Sequence, residues 1–203
     1  MIIPLHKGKQ GKEVAVYSPV EWHLIESKLN TDYKLRGNFL LYTGMRISEA
    51  TYVSRHPKCF REEHGSIFLP YIEGDRKKKD NDQKLGKPRA KQKDRTVLLS
   101  KKGIAAVKLF FEQGVTFPSY QAMEGAFKRA AKEAGFDTRF IHVKAFRKTW
   151  VSWLMMAFPG QESRISLSMG HDRETMQYHY LVDGFRKEDR PDIKEETDGW
   201  GES

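Results

Sequence analysis

Residues 75–95 hold ten basic and four acidic side chains, with Gly74, Gly86 and Pro88 as breakers, and the only two β-type runs of the sequence flank this segment. Residues 66–72 are apolar and residues 95–99 form a short β-type run, so the two can pair as an antiparallel hairpin with the basic loop at its tip. No other strand is expected. Ser18-Pro19-Val20-Glu21 is a capping box with proline at the first helical position, and Trp22, Ile25 and Leu29 follow at helical spacing, which predicts a helix over 19–30. The same reading gives helices over 33–42, closed by Thr43-Gly44, and from Arg46 onward. Ser100 can cap a helix to 111, and Ser119 one over 120–134 that Gly135 closes. Further helices are expected over 142–157, 161–169 (with Gly170 as stop) and 172–182. The expected fold class is therefore α+β: a mainly helical domain with a small antiparallel sheet at one edge, carrying the basic loop.

A chain of 203 residues can bury a core as one domain, and four Trp, twelve Phe and eight Tyr supply the aromatic material for it. The single cysteine, Cys59, excludes an internal disulfide and a Cys-based zinc finger. The longest mainly apolar stretch, 151–158, is about eight residues against the roughly 18 of a membrane span, and Met1-Ile2-Ile3-Pro4 opens no secretory segment. A cytoplasmic protein is expected. The formal net charge of +9 is unevenly spread: residues 186–203 hold four basic and seven acidic side chains, so this tail is negative and residues 1–185 carry all the positive excess. A polyanion is the first partner such a body suggests. A basic run alone also describes a solvated loop, so charge by itself names no target.

One helix can be resolved by face. With Lys144 set at 0° and about 100° per residue, Arg147 falls at about 300° and Lys148 at about 40°, whereas Phe146, Trp150, Trp153 and Ala157 fall between about 180° and 240°. One face is core, the other cationic.

Four short motifs follow in order: Thr43-Gly44-Met45-Arg46-Ile47-Ser48-Glu49-Ala50, Lys144-Ala145-Phe146-Arg147, Met169-Gly170-His171, and Tyr180. Together they resemble, over residues 18–182, the catalytic domain of the tyrosine recombinases, the integrase family of DNA breaking and rejoining enzymes. The resemblance implies that Arg46 and Arg147 are the family's two arginines, that His171 is the histidine of its Leu-Gly-His box, and that Tyr180, nine positions later, is the nucleophile. Tyr178 is its rival; the two lie about 200° apart on a helix, so only one can face a phosphate. Lys144 stands where the family commonly has His, as in some members including archaeal viral integrases, and His142 is two residues early. Aligning Asp94-Arg95-Thr96-Val97-Leu98 with the family's strand favours Lys91 as the hairpin lysine, with Lys93 and Lys87 behind it, in a loop longer than usual. Lys77, Lys78, Lys79, Lys87, Arg89 and Lys93 are expected to touch DNA. The clamp domain that normally precedes the first helix is missing, so the chain is expected to be the catalytic module (1–185) with a charged tail (186–203).

These residue types suit the chemistry. Attack of a side-chain oxygen on phosphorus builds negative charge on the nonbridging oxygens and on the leaving 5′-oxygen. Arg46 and Arg147 can hold the former with permanently charged, paired donors. His171 can donate to the phosphate or accept the tyrosine proton, a lysine such as Lys91 can protonate the leaving oxygen, and positive surroundings favour the Tyr180 phenolate. Glu49 is expected to orient Arg46 or a backbone donor, although an Arg46–Glu49 pair is also an ordinary one-turn ion pair. His142, His171 and His179 lack an Asp, Glu or Cys companion at ligand spacing, so neither metal nor cofactor is expected. The expected function is site-specific cleavage and rejoining of double-stranded DNA through a 3′-phosphotyrosine, as the integrase of a virus or mobile element. The chain would be a monomer in isolation and a multimer, a tetrameric synapse, on DNA, with no membrane contact. A type IB topoisomerase-like relaxing activity and a non-catalytic DNA-binding module with a vestigial site are the alternatives. The tail is read either as a disordered end or, as the resemblance implies, as a segment that protomers on DNA exchange head to tail, docked on protein through Phe185, Ile193 and Trp200.

Overall fold

The structure, a computed structural model, describes residues 5–7, 13–70, 94–170 and 185–202. Local signals set the helix ends. Helix α1 (Pro19–Ser27) opens on the expected capping box, with Glu21 N donating to Ser18 Oγ at 3.3 Å and Ser18 N to Glu21 Oε2 at 3.0 Å. It stops short of residue 30 because Asn30 turns to cap α2 (Thr31–Thr43), accepting from Tyr33 N at 3.0 Å. Helix α2 ends on Gly44, and α3 (Ile47–Ser54) starts directly after Arg46.

The strands are more numerous than the sequence suggested. A hairpin of β1 (Leu5–Lys7) and β2 (Glu13–Ala15) stands near the start of the chain, and β3 (Phe60–Arg61) joins β4 (Ser66–Leu69) and β5 (Arg95–Leu98) in an antiparallel sheet ordered β3-β4-β5. The additional strands are two or three residues long, too short to display an alternation. In the expected hairpin Ile67 lies opposite Val97 and Leu69 opposite Arg95, and both strands end earlier than their apolar runs. Helices α4 (Lys101–Glu112), α5 (Tyr120–Glu133), α6 (Lys144–Ala157) and α7 (Glu162–Met169) follow as the sequence predicts, within two residues at each end. The expected helix over 172–182 lies outside the described residues. No helix among the described residues is long and apolar enough to cross a membrane.

The core forms where α1, α2 and α5 meet α6, with α4 packed on α2. Phe146, Trp150 and Trp153, the apolar arc of α6, are all buried. Phe146 meets Trp22 at a ring separation of 5.1 Å and Phe127 at 4.7 Å, while Trp150 meets Tyr42 at 5.8 Å. Trp153 Nε1 donates to the Tyr17 carbonyl at 2.9 Å, so this side chain buries its ring without losing its hydrogen bond. Helix α7 covers the outer edge of β5 through Ser168, whose Oγ accepts from Leu98 N at 3.0 Å.

The tail folds back onto this body. Helix α8 (Asp189–Glu196) carries Pro191 in its first turn, where proline is tolerated, and buries Ile193; Trp200 beyond it is buried against Phe158 at 5.3 Å. Charge guides the docking: Lys101 Nζ lies 2.8 Å from Asp198. Glu196, itself buried, accepts from Tyr42 Oη at 2.6 Å and Lys102 Nζ at 3.0 Å, and pairs with His23 Nε2 at 3.0 Å. Between the two readings of the tail, residues 185–202 are thus ordered and docked, on their own chain.

The Glu196 cluster makes docking pH-dependent. Bonds to Glu196 and then Glu26 outweigh burial and raise His23 from 6.5 to about 9. Burial pushes the Glu196 carboxyl up, but the hydrogen bonds from His23, Tyr42 and Lys102 prevail and hold it down to about 2, from 4.5. The raised histidine stabilises the fold fully below its unfolded value of 6.5 and stops doing so as pH rises through about 9; the lowered carboxylate does so above 4.5 and stops as pH falls through about 2. Both contribute between those unfolded values. The melting-temperature difference between the natural chain and His23→Gln should therefore be largest at pH 4.5–6.5 and vanish above about pH 9, measured by circular dichroism.

Candidate functional site

The first and third motifs are helix C-termini, and the second supplies the side chain that joins them. At the end of α2, Thr43 Oγ1 donates to the Phe39 carbonyl at 2.7 Å and accepts from Met45 N at 3.2 Å, which fixes the turn around Gly44. Gly44 has φ +58°, the left-handed C-cap conformation, and a Cβ there would lie 2.7 Å from Trp150 Cδ1 and 2.8 Å from Met169 Sδ. At the end of α7, Gly170 has φ +64°, and a Cβ would lie 2.9 Å from Arg95 Cδ.

Arg147, on the first turn of α6, is only 8 % exposed. Its Nη1 donates to the Gly44 carbonyl at 2.7 Å and its Nη2 to the Met169 carbonyl. Helical spacing puts Arg147 on the cationic face. At about 300° it flanks the core arc rather than opposing it, within about 60° of Trp150, and two carbonyls of helix ends receive its charge. Lys144, at the start of α6, is exposed, while Lys148 is half-buried, and burial together with the Lys144 charge lowers its ammonium's pKa.

Arg46 caps α3 by a device the sequence shows: Glu49, three residues on, accepts from Arg46 N at 2.8 Å with Oε2 and from Arg46 Nη1 at 2.7 Å with Oε1. The expected orienting role and the ion-pair alternative are thus one arrangement. Glu49 is 2 % exposed, whereas a third of the Arg46 side chain is open to solvent. Arg95 Nη2 also donates to Glu49 Oε2, at 2.7 Å, and Arg95 Nε to the Ser168 carbonyl at 3.1 Å. Burial pushes the Glu49 carboxyl up, but the hydrogen bond and charge of Arg95, with the charges of Arg46 and Arg147, hold it down to about 2. The resulting cluster is cationic, with Arg46 as its accessible guanidinium, an arrangement able to receive a phosphate.

Sequence reasoning does not single out Arg95 or Ser168. A signal for Arg95 exists: it alternates with Val97 on the inward face of β5, where a charged residue requires a buried partner. Lys77, Lys78, Lys79, Lys87, Arg89, Lys91 and Lys93 in the basic loop, and His171, Tyr178 and Tyr180 after Gly170, lie outside the described residues. His142 is half-buried, with Nδ1 3.3 Å from Glu124 Oε1 on α5, away from the arginine cluster in its contacts.

No protein-family model matches the sequence, and neither does any curated protein. Solved structures do match. The XerA recombinase superposes with a TM-score of 0.61 at 16% identity, over 88% of this chain and 63% of that one. The Tn1549 transposon integrase in complex with transposon right end DNA gives 0.61 at 14%, over 89% and 64%, and the integrase from mycobacterium phage Brujita 0.52 at 14%, over 89% and 57%. The chain thus spans under two thirds of the length of these three structures. The likeness shows the fold: this chain shares that of recombinases and integrases.

The two C-cap glycines should be intolerant for reasons that a third can calibrate. Gly114 has φ +61° and open space around a Cβ, so Gly114→Ala should cost only the ~1–2 kcal/mol of the left-handed backbone. Gly44→Ala and Gly170→Ala should add roughly 1–3 kcal/mol of overpacking to that, seen as earlier urea midpoints.

Proposed function

We propose that this chain cleaves and rejoins strands of double-stranded DNA by transesterification, as the catalytic domain of a tyrosine-type site-specific recombinase. The observation that carries the reading is the Arg147 guanidinium joining the Gly44 and Met169 carbonyls, because it gathers three motifs that are more than a hundred residues apart at their extremes. The shared fold supports it, as does the neighbour whose structure holds transposon DNA.

In this mechanism the scissile phosphate sits on Arg46, with Arg147 stabilising the charge that develops on the nonbridging oxygens. Tyr180 Oη attacks phosphorus as its proton leaves to His171 or water. The bond from phosphorus to the 5′-oxygen breaks, and Lys91 delivers a proton to that oxygen. The product is a 3′-phosphotyrosine and a free 5′-hydroxyl. Because the phosphodiester is exchanged and not hydrolysed, a second 5′-hydroxyl reverses the sequence without ATP. Several copies assemble on DNA to exchange strands, serving a virus or other mobile element.

Tyr180→Phe should abolish the covalent adduct with a nicked suicide duplex while leaving affinity within about twofold, since it removes a hydroxyl and no charge; an adduct abolished in Tyr178→Phe instead would transfer the role to Tyr178. Binding should also weaken steeply with salt. Neutralising Lys77, Lys78 and Lys79 together should reduce the slope of log affinity against log salt by about 0.9 for each phosphate that the variant leaves to its counterions, measured by fluorescence anisotropy.

A further inference from the structure

Arg95 has no role in the chemistry proposed above, and the acceptors that its buried guanidinium meets belong to the protein. Its contacts nevertheless join the elements that carry the chemistry. Its Nη2 donates to Glu49 Oε2, the atom that also receives Arg46 N, and its Nε donates to the Ser168 carbonyl at the end of α7. The place of a Cβ on Gly170, the residue before His171, lies 3.1 Å from Arg95 Nη1, and this buried nitrogen has no hydrogen-bond partner among the described residues. Arg95 itself stands at the first position of β5, directly after the basic loop.

We infer that Arg95 is a positioning residue: it fixes the carboxylate of Glu49 that holds Arg46, and it braces the Gly170 turn leading into His171, so that β5 sets the phosphate-binding geometry together with α3. The inference rests on the strand-cleavage reading. Among the described residues, the cationic groups whose charge acts on Glu49 include Arg46 beside α3, Arg95 from β5 and Arg147 from α6. Removing Arg95 takes away a hydrogen bond and a charge that keep Glu49 ionised, and a neutral Glu49 holds Arg46 weakly.

The test is single-turnover adduct formation by the full chain on a nicked suicide duplex, from pH 5 to 8. Arg95→Met should bind DNA within about twofold of the natural chain, cleave at least about 100-fold more slowly, and lose rate toward acid pH more steeply than the natural chain as Glu49 protonates. Adding Glu49→Gln should abolish that additional acid loss and leave only the pH dependence of the natural chain, since the carboxyl that titrates is gone. A 5′-phosphorothiolate, whose leaving group needs no protonation, should not rescue the rate, because the defect lies at Arg46. A natural rate, a loss equal at every pH, or rescue by sulfur would overturn the inference. If Arg95→Met does not fold, Arg95→Lys takes its place: a tenfold or greater loss supports the role, and full activity overturns it. If the natural chain forms no adduct, the strand-cleavage reading falls, and NMR titration of carboxyl-labelled Glu49 decides the inference alone: a higher pKa in the Arg95 variant sustains it and an unchanged one overturns it.

Discussion

A guanidinium withdrawn from water organises this molecule. Arg147 cannot shed its proton, so its burial obliges the fold to supply acceptors. It finds them at Gly44 and Met169, where α2 and α7 leave carbonyls without intrahelical partners and present the negative ends of their dipoles. Both helices reach that geometry by turning through a left-handed glycine, Gly44 and Gly170. Thr-Gly and Met-Gly are therefore more than spacers beside a motif arginine and histidine. They end two helices at one place and aim carbonyls at one charge, and Arg46 and His171 are the residues that follow each turn by one or two positions.

The second balance of charge is that around Glu49. One buried carboxylate stands among Arg46, Arg95 and Arg147, so the cluster keeps a positive excess while Arg95, buried like Arg147, has a counterion. The carboxylate lies on the inner side and a third of Arg46 on the outer, so the excess faces solvent. Removing one partner from a buried pair such as Glu49 and Arg95 typically costs ~3–5 kcal/mol, far more than an exposed pair contributes, so the carboxylate that receives Arg46 is itself firmly held.

Much of this is legible in the chain because its signals are local. The Ser18 capping box, the Gly44 and Gly170 stops and the apolar arc of α6 each follow from a few adjacent residues, and they place α1, α2, α6 and α7 correctly. The Glu49 pairing is legible for the same reason, being one turn from Arg46. What escapes depends on distant partners. Arg95 meets Glu49 across 46 residues and Ser168 across 73, and nothing near it in sequence marks either contact. The pair β1 and β2 and the short β3 escape because two or three residues carry no period. Burial of Arg147 escapes because helical angle alone separates a core arc from its opposite, whereas a residue at the flank is decided by what the neighbouring helix ends offer.

The tail follows a related logic, with consequences for assembly. Its negative charge is expected to seek the positive body, and it does so through the buried carboxylate Glu196, held by groups from α1, α2 and α4, and through Asp198 on Lys101. Ile193 and Trp200 meanwhile complete the core beneath it. In the multimer proposed above, a neighbouring copy would offer an identical docking surface, so a tail placed there would make the same contacts as one placed at home. The contact energies then cancel between the two arrangements. The balance is left to the reach and strain of the chain leading into α8 and to the effective concentration that DNA imposes on its bound copies. Deleting the tail cannot separate these possibilities, because it also removes Ile193 and Trp200 from the core. A change at Glu196 weakens both arrangements alike. Altering the length of the segment between Gly170 and Phe185, with every docking contact retained, shifts that balance of reach and leaves the contact energies as they are.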